Sequence, residues 1–423
     1  MHQAIIQKSF LRGTISAPSS KSFSHRAIIC AALAGGECFI SPLVFSQDIL
    51  ATINGMKSLG AGIEIFENGI KIKNFKKPAK EVSIDCFDSG STLRFLVPVA
   101  AALGIEAVFK RSESLAKRPL KDLLDALEKS GIKWEENEDF SLKISGKLNP
   151  GEFLLPGNVS SQFVSGLLLA LPMLDGNSTI KLTSMLESSG YVKITTEVMK
   201  KFGVLAEKTL DGFFIKGNQK YKSSDYNIEG DWSQAAFFMA MGALSGNLSV
   251  KGLNKNSCQV DKMIFDLLEN FGADISWNKD EIKVNKSRLR AVNIDAAEVP
   301  DLVPVLAVLA ANAEGETIIK NVRRLKFKEC DRLSVVSEEL AKIGVKIEFS
   351  ENELKIMGGK DYFGCEVSSH NDHRIAMALA TMALCAEGDM KILNSGCVKK
   401  SYPDFFKDYC LLGGAADVFD VGE

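Results

Sequence analysis

Six segments of this chain begin a helix at positions 48, 119, 190, 261, 332 and 403, each 71 residues after the last. A pattern recurring at that period is one supersecondary unit used six times, and any fold must stack such units. Each of these helices ends at a glycine followed by an apolar stretch, at Gly60, Gly131, Gly203, Gly272, Gly344 and Gly413. Glycine just past a helix is the expected left-handed stop.

One unit reads as helix start, helix, strand, second helix start, second helix, glycine and hairpin. The hairpins show as two alternating runs around a polar turn, for example 63–66 with 69–73, 275–277 with 281–284, and 345–349 with 353–356. The second helices are amphipathic. The first helices start near Ser20, Ser89, Ser160, Asp231, Pro300 and Asp372 and are apolar on most faces, as in 302–311. Six buried helices exceed one ordinary core, so two cores of three units are expected. The sixth unit is short of its hairpin after Gly413, and residues 3–9 read as a spare strand that completes it. The domains are then 1–17 plus 229–423, closed by that strand, and 18–228. The chain crosses between them near 15–19 and 227–230.

Composition narrows the class. With 51 Lys and Arg against 53 Asp and Glu, the net charge of −2 argues against nucleic acid as a partner. The opening residues show no signal peptide, and the longest apolar runs are too short for a bilayer. Nine scattered cysteines without a C-x-x-C pair read as reduced thiols in a cytoplasm, and four histidines without ligand spacing make a metal site unexpected.

The unusual polar residues sit at helix starts, where free N–H groups and a partial positive charge suit an anion. They are Lys21, Ser22 and Arg26; Asp88 to Thr92 and Arg94; Ala116 to Pro119, with Pro119 expected as a first helical residue; Ser160 to Gln162; Ser188 to Tyr191; Asp301; Lys328 to Arg332; Asn371 to Arg374; and Lys400 ahead of Pro403 and Asp404. Singly, each has an ordinary structural explanation. Ser, Asp and Asn cap helices, Arg94 reads as a structural ion pair, Asp331 as a cap or a partner of Arg332, and Cys330 as an inert small residue. Together, Lys21, Arg118, Lys328, Arg332, Arg374 and Lys400 lie within about a turn of a repeat helix start. Six gathered cations repel unless anions offset them, and phosphate-like groups plus a carboxylate would do so. Asp301 and Glu329, without an obvious partner in sequence, are then acid–base candidates. No Gly-rich nucleotide loop is present, so no nucleotide cofactor is indicated.

Six segments now carry a resemblance: Ser16-Ala-Pro-Ser-Ser-Lys-Ser with Arg26, Asp88-Ser-Gly-Ser-Thr-Leu-Arg94, Ser160-Ser-Gln162, Lys328-Glu-Cys-Asp-Arg332, Asn371-Asp-His-Arg374, and Lys400 with Pro403-Asp404. In this order, from about residue 13 to about 406, the chain resembles the 5-enolpyruvylshikimate-3-phosphate synthase family of enolpyruvyl transferases. The resemblance implies an α/β (α+β) fold: a two-domain inverse α/β barrel, each domain three βαβαββ repeats, with the ligand cleft between them. It implies transfer of the carboxyvinyl group of phosphoenolpyruvate to the 5-hydroxyl of shikimate 3-phosphate by addition–elimination, with release of phosphate. It implies a monomer with no metal or organic cofactor. By position, shikimate 3-phosphate falls to Lys21, Ser22, Arg26, Ser160, Ser161, Gln162, Ser188, Tyr191, Asp301 and Lys328. Phosphoenolpyruvate falls to Lys21, Gly90, Arg118, Gln162, Arg332, Arg374 and Lys400. Asp301 would take the hydroxyl proton, and Glu329 with Lys21 would protonate the methylene carbon.

Ser189-Gly190 replaces a Lys-Pro pair of some members, and Arg324 stands where some have asparagine. Two alternatives are weighed. The related transferase acting on UDP-N-acetylglucosamine carries a cysteine in the loop before the Arg118-Pro119 position, and residues 111–118 contain none. A non-catalytic anion-binding relative would have lost Asp301, Glu329 or Lys21, and all three are present.

Overall fold

The computed structural model describes residues 2–78, 81–359 and 361–420. The chain divides into two compact units, one holding the residues up to Pro18 and those from Glu229 onward, the other Ser19–Ile228. The backbone therefore passes from the first unit to the second after Pro18 and returns before Glu229.

Each unit contains three four-stranded sheets of one design. The central repeat of the second unit shows it. Val82–Asp85 pairs in parallel with Ala107–Lys110, and the helix Gly90–Leu103 lies between them in sequence. The amphipathic helix Lys121–Glu128 follows, and then the hairpin Ile132–Glu136 and Leu142–Gly146. The second hairpin strand pairs antiparallel with Ala107–Lys110. A parallel pair needs a crossover, which the buried helix supplies, whereas the hairpin needs only a short turn.

The repeats close each unit through strands distant in sequence. His2–Gln7 lies antiparallel between Met390–Leu393 and Ala415–Asp420, so the opening segment takes the place of the missing hairpin strand of the sixth repeat. Leu11–Ser16 is the first strand of the fourth repeat, parallel to Gly246–Lys251. Tyr226–Asn227 serves the first repeat in the same way, parallel to the strand Cys38–Ser41. The six glycines after the second helices all adopt positive φ, from 77° at Gly203 to 113° at Gly60, which explains why no side chain is tolerated at that point of the period.

In the first unit the helices Trp232–Ser245, Val303–Ala311 and His373–Ala383 are buried on all faces and pack pairwise on one another. In the second, Gly90–Leu103 packs on Ser161–Ala170, while Lys21–Ala34 lies against Gln47–Ser58 and Ser189–Lys201. Burial on all faces is the reason Trp232–Ser245 and Val303–Ala311 lack amphipathic periodicity.

Two expectations about proline fail. Pro119 and Pro403 are not first helical residues, since their helices start at Lys121 and Phe405. Leu120 has φ −145° and ψ −21°, outside the helical region, and the Pro119 carbonyl is held by the Arg94 guanidinium at 2.9 Å. The proline fixes a loop that a side chain braces.

Candidate functional site

In the second unit, three helix starts and one loop converge. Lys21 opens its helix, and its ammonium meets the carboxylate of Asp48, from the second helix of the same repeat, at 2.8 Å. Gly90 is the first residue of the next buried helix, capped by Ser89, whose hydroxyl accepts from the Thr92 N–H. A methyl group placed on Gly90 would lie 2.4 Å from Arg94 Nη1 and 3.0 Å from Arg118 Nη1. The glycine is what lets two guanidinium groups approach a helix N-terminus. Arg94 then donates to Gln162 Oε1 at 3.0 Å, and Gln162 Nε2 donates to Ser91 at 2.9 Å. Arg118 Nε is buried without a hydrogen-bond partner among the described residues. A buried donor left in that state is costly, and an anion at the Gly90 helix start would lie beside Nη1 of the same guanidinium.

Beside this cluster, Ser160 caps the helix Ser161–Ala170, and Ser188 precedes the helix Ser189–Lys201 in the left-handed region, with φ 53°. Arg26 ties these parts together from within. It is 3% exposed, and it donates to Thr195 at 2.6 Å, to Ser165 at 3.3 Å, and to the carbonyls of Ser22 and Tyr191 at 2.8 and 3.1 Å. The structure thus turns Arg26 into a brace for Ser22 and Tyr191.

The first unit gathers carboxylates among its cations. Asp301 receives Lys328 at 3.0 Å and Arg332 at 2.8 Å on one oxygen, and Arg374 at 3.2 Å on the other. Arg332 also reaches Glu329 at 2.6 Å and Asp372 at 2.6 Å. Asp372 caps the helix His373–Ala383 by accepting from the Arg374 N–H at 2.8 Å. Arg374 donates further to Ser233, at the start of the helix Trp232–Ser245. Lys400 donates to the Asn371 carbonyl at 2.9 Å. His370 and Asn371, both at positive φ, turn the backbone so that this carbonyl is available.

Burial opposes the charge of Asp301, but Arg374, Lys328 and Arg332 outweigh it and hold the carboxyl well below the ordinary aspartate range. Burial also works against the Arg332 cation, and Asp372, Glu329 and Asp301 reverse that, so the guanidinium stays charged. For Asp301 the folded pKa lies below the unfolded one. Its contribution is therefore present above about pH 4 and is lost as pH falls through the folded value. In urea titrations from neutral pH downward, the stability gap between wild type and Asp301→Asn should shrink as the pH falls. A gap constant over that range would contradict this balance.

One expectation is corrected here. Asp301 and Glu329 are not carboxylates without partners: Lys328, Arg332 and Arg374 come to Asp301 from other helix starts, and Glu329 meets Arg332 three residues along the chain. Arg94 orients Gln162 and the Pro119 loop. Asp331 is a helix cap, accepting from Ser334 N–H at 3.2 Å. Cys330 lies 3.7 Å from Asp372 with its thiol pushed up by burial, as an unreactive cysteine should be. The sequence reading missed Asp48 and Asp372 as partners of the cations. Both carry a signal, since each stands at a repeat helix start.

Two units of three such repeats, with cations and carboxylates at the helix starts, define an α/β architecture shared with solved enolpyruvyl transferases. An EPSP synthase from Acinetobacter baumannii superposes with a TM-score of 0.84 at 24% identity, over 99% of this chain and 100% of that one. The enolpyruvyl transferase NikO from Streptomyces tendae does so at 0.81 and 19%, over 100% and 99%. These likenesses speak for the fold. Sequence speaks for the family. The profile of EPSP synthase (3-phosphoshikimate 1-carboxyvinyltransferase) matches residues 5–409. Proteins named 3-phosphoshikimate 1-carboxyvinyltransferase are similar over the full length: 45% identical in Clostridium novyi, covering 100% of both chains, and 46% in Clostridium acetobutylicum, covering 98% of both. The chain belongs to the EPSP synthase family.

Proposed function

We propose that this protein transfers the carboxyvinyl group of phosphoenolpyruvate to the 5-hydroxyl of shikimate 3-phosphate, releasing phosphate, as a step of aromatic amino-acid biosynthesis. The observation that carries the proposal is the Asp301–Arg332–Glu329 constellation in a chain that matches the family from residue 5 to residue 409. It joins two carboxylates to cations in one cluster, as acid–base chemistry on anions needs.

In this reading shikimate 3-phosphate is held by Lys21, Ser22, Arg26, Ser160, Ser161, Gln162, Ser188, Tyr191, Asp301 and Lys328, with Arg26 also fixing the segments that carry Ser22 and Tyr191. Phosphoenolpyruvate is held by Lys21, Gly90, Arg118, Gln162, Arg332, Arg374 and Lys400. The 5-oxygen bonds to C2 of phosphoenolpyruvate while Asp301 takes its proton. Glu329, with Lys21, delivers a proton to C3. The tetrahedral product then loses a proton from the new methyl group as the C2–phosphate bond breaks, and the double bond is restored.

The resting electrostatics add a condition. A carboxylate held well below its ordinary range by three cations is a poor base. When the carboxylate and phosphate of the ligands engage Arg332 and Arg374, those cations are shared, and the proton affinity of Asp301 rises. The base is strengthened by the arrival of substrate.

The same reading makes the protein a cytoplasmic monomer. Its nine cysteines are all free, as in a reducing compartment, and no described helix is long and apolar enough to cross a membrane. Phosphate release on mixing shikimate 3-phosphate with phosphoenolpyruvate tests the proposal. Release only with UDP-N-acetylglucosamine as acceptor, or binding without turnover, would overturn it.

A further inference from the structure

A row of buried polar groups lies one turn below the Lys21–Asp48 pair. His25 Nδ1 is 2.7 Å from Thr52 Oγ1, Thr52 Oγ1 is 2.7 Å from Thr92 Oγ1, and Thr92 Oγ1 is 2.7 Å from Ser89 Oγ. None of the four is more than 1% exposed. Thr92 also lies within 3.4 Å of the Asp48 carbonyl. The row crosses three helices: the one Lys21 opens, the one carrying Asp48, and the one Gly90 opens. It ends on Ser89, the residue that caps the Gly90 helix.

The other unit ties the matching elements by charge. There Arg332, on the second helix of the fifth repeat, holds Asp372, the cap of the next repeat's buried helix. The two linked residues are 40 positions apart, as Thr52 and Thr92 are. Likewise Asp301 and Lys328 are 27 apart, as Lys21 and Asp48 are, with the signs exchanged. The Thr52–Thr92 bond links the corresponding two helices of the first and second repeats, about one turn further from their starts than the Arg332–Asp372 bond.

His25 is a poor choice for packing alone. Its Nε2 has no hydrogen-bond partner among the described residues, and its ring meets the edge of Phe95. An orphaned ring nitrogen costs stability that an aliphatic side chain would not. What the imidazole supplies is Nδ1 at the end of the row. Burial, then Lys21 and Arg26 beside it, keeps the ring neutral, so Nδ1 can take either role toward Thr52 without adding a cation.

We propose that His25, acting through Thr52, Thr92 and Ser89, is a positioning residue for phosphoenolpyruvate: it holds the Gly90 helix start in register with Lys21 so that both meet the anionic end of that substrate. This rests on the reading above that Lys21 and Gly90 contact phosphoenolpyruvate.

The test is steady-state phosphate release, varying each substrate in turn, on variants whose folding is checked by circular dichroism and melting temperature. Thr52→Val and His25→Leu should raise KM for phosphoenolpyruvate about tenfold, since small misplacements of binding groups carry effects of this order. KM for shikimate 3-phosphate should stay within about twofold. Thr52→Ser and His25→Asn, which restore a polar atom at the required place, should recover most of the loss. Folded Thr52→Val and His25→Leu proteins with a wild-type KM for phosphoenolpyruvate, or with both KM values raised equally, would overturn the proposal. If Thr52→Val does not fold, Thr52→Ala carries the same expectation. Lys21→Met separates the two readings. If it leaves phosphoenolpyruvate kinetics unchanged, the assignment of Lys21 falls. If it impairs them while the row variants do not, only the positioning role of His25 falls.

Discussion

Truncating Glu329 to alanine is expected to lower turnover by about 10²–10⁴-fold, the range for loss of a general acid or base, and to leave the fold intact. The structure separates the two effects. Glu329 is 18% exposed at its side chain and meets Nη2 of the Arg332 guanidinium. With Glu329 gone, Arg332 keeps Asp372 on Nε and Asp301 on Nη1. The Arg332 charge is therefore not stranded. Single-turnover rates for formation of the carbon–oxygen bond should fall with steady-state turnover, because the proton delivered to C3 belongs to that step. Near-normal turnover in Glu329→Ala would remove this carboxylate from the chemistry.

Asp372→Ala should do the reverse and damage the fold. Asp372 is fully buried and pairs with Arg332, whose side chain is 1% exposed. Removing it leaves Asp301 and Glu329 on the two Nη atoms but takes the Asp372 carboxylate from the buried Arg332 Nε, and an unmet buried donor costs about 1–3 kcal/mol. It also removes the cap of the helix His373–Ala383, worth about 1 kcal/mol. For a unit of this size the melting temperature should drop by roughly 10 °C. Asp372→Asn, which retains the cap but not the charge, should fall in between. A melting temperature unchanged in Asp372→Ala would mean that the buried pair contributes nothing net, an outcome known for other buried pairs when both partners are replaced. Together the two variants distinguish a carboxylate that works on substrate from one that holds the cation in place.

The comparison of sequence and structure turns on distance along the chain. The helix starts near Ser89, Ser160, Asp231 and Asp372 could be read from polar residues ahead of apolar runs, because capping is a local interaction within about three residues. The hairpins were readable for the same reason. The strand at residues 3–9 was inferred from a deficit in the sixth repeat, and it forms at His2–Gln7 in the place that deficit left. Pro119 misled because its helix-starting preference is also a local rule, and here a guanidinium from the neighbouring helix overrides it.

The period of 71 residues, the glycine stops and the apolar helices fixed in advance a chain of six like units, with its cations at helix starts. These properties follow from backbone conformation and short-range burial, which act between residues near in sequence. Only the tertiary structure decided which charges meet. Lys21 and Asp48 are 27 residues apart, Arg332 and Asp372 are 40, and Arg26 reaches Thr195 across 169. Coulomb attraction and hydrogen bonding depend on separation in space, and no periodicity in the sequence states which repeat's helix start lies within three ångströms of another's.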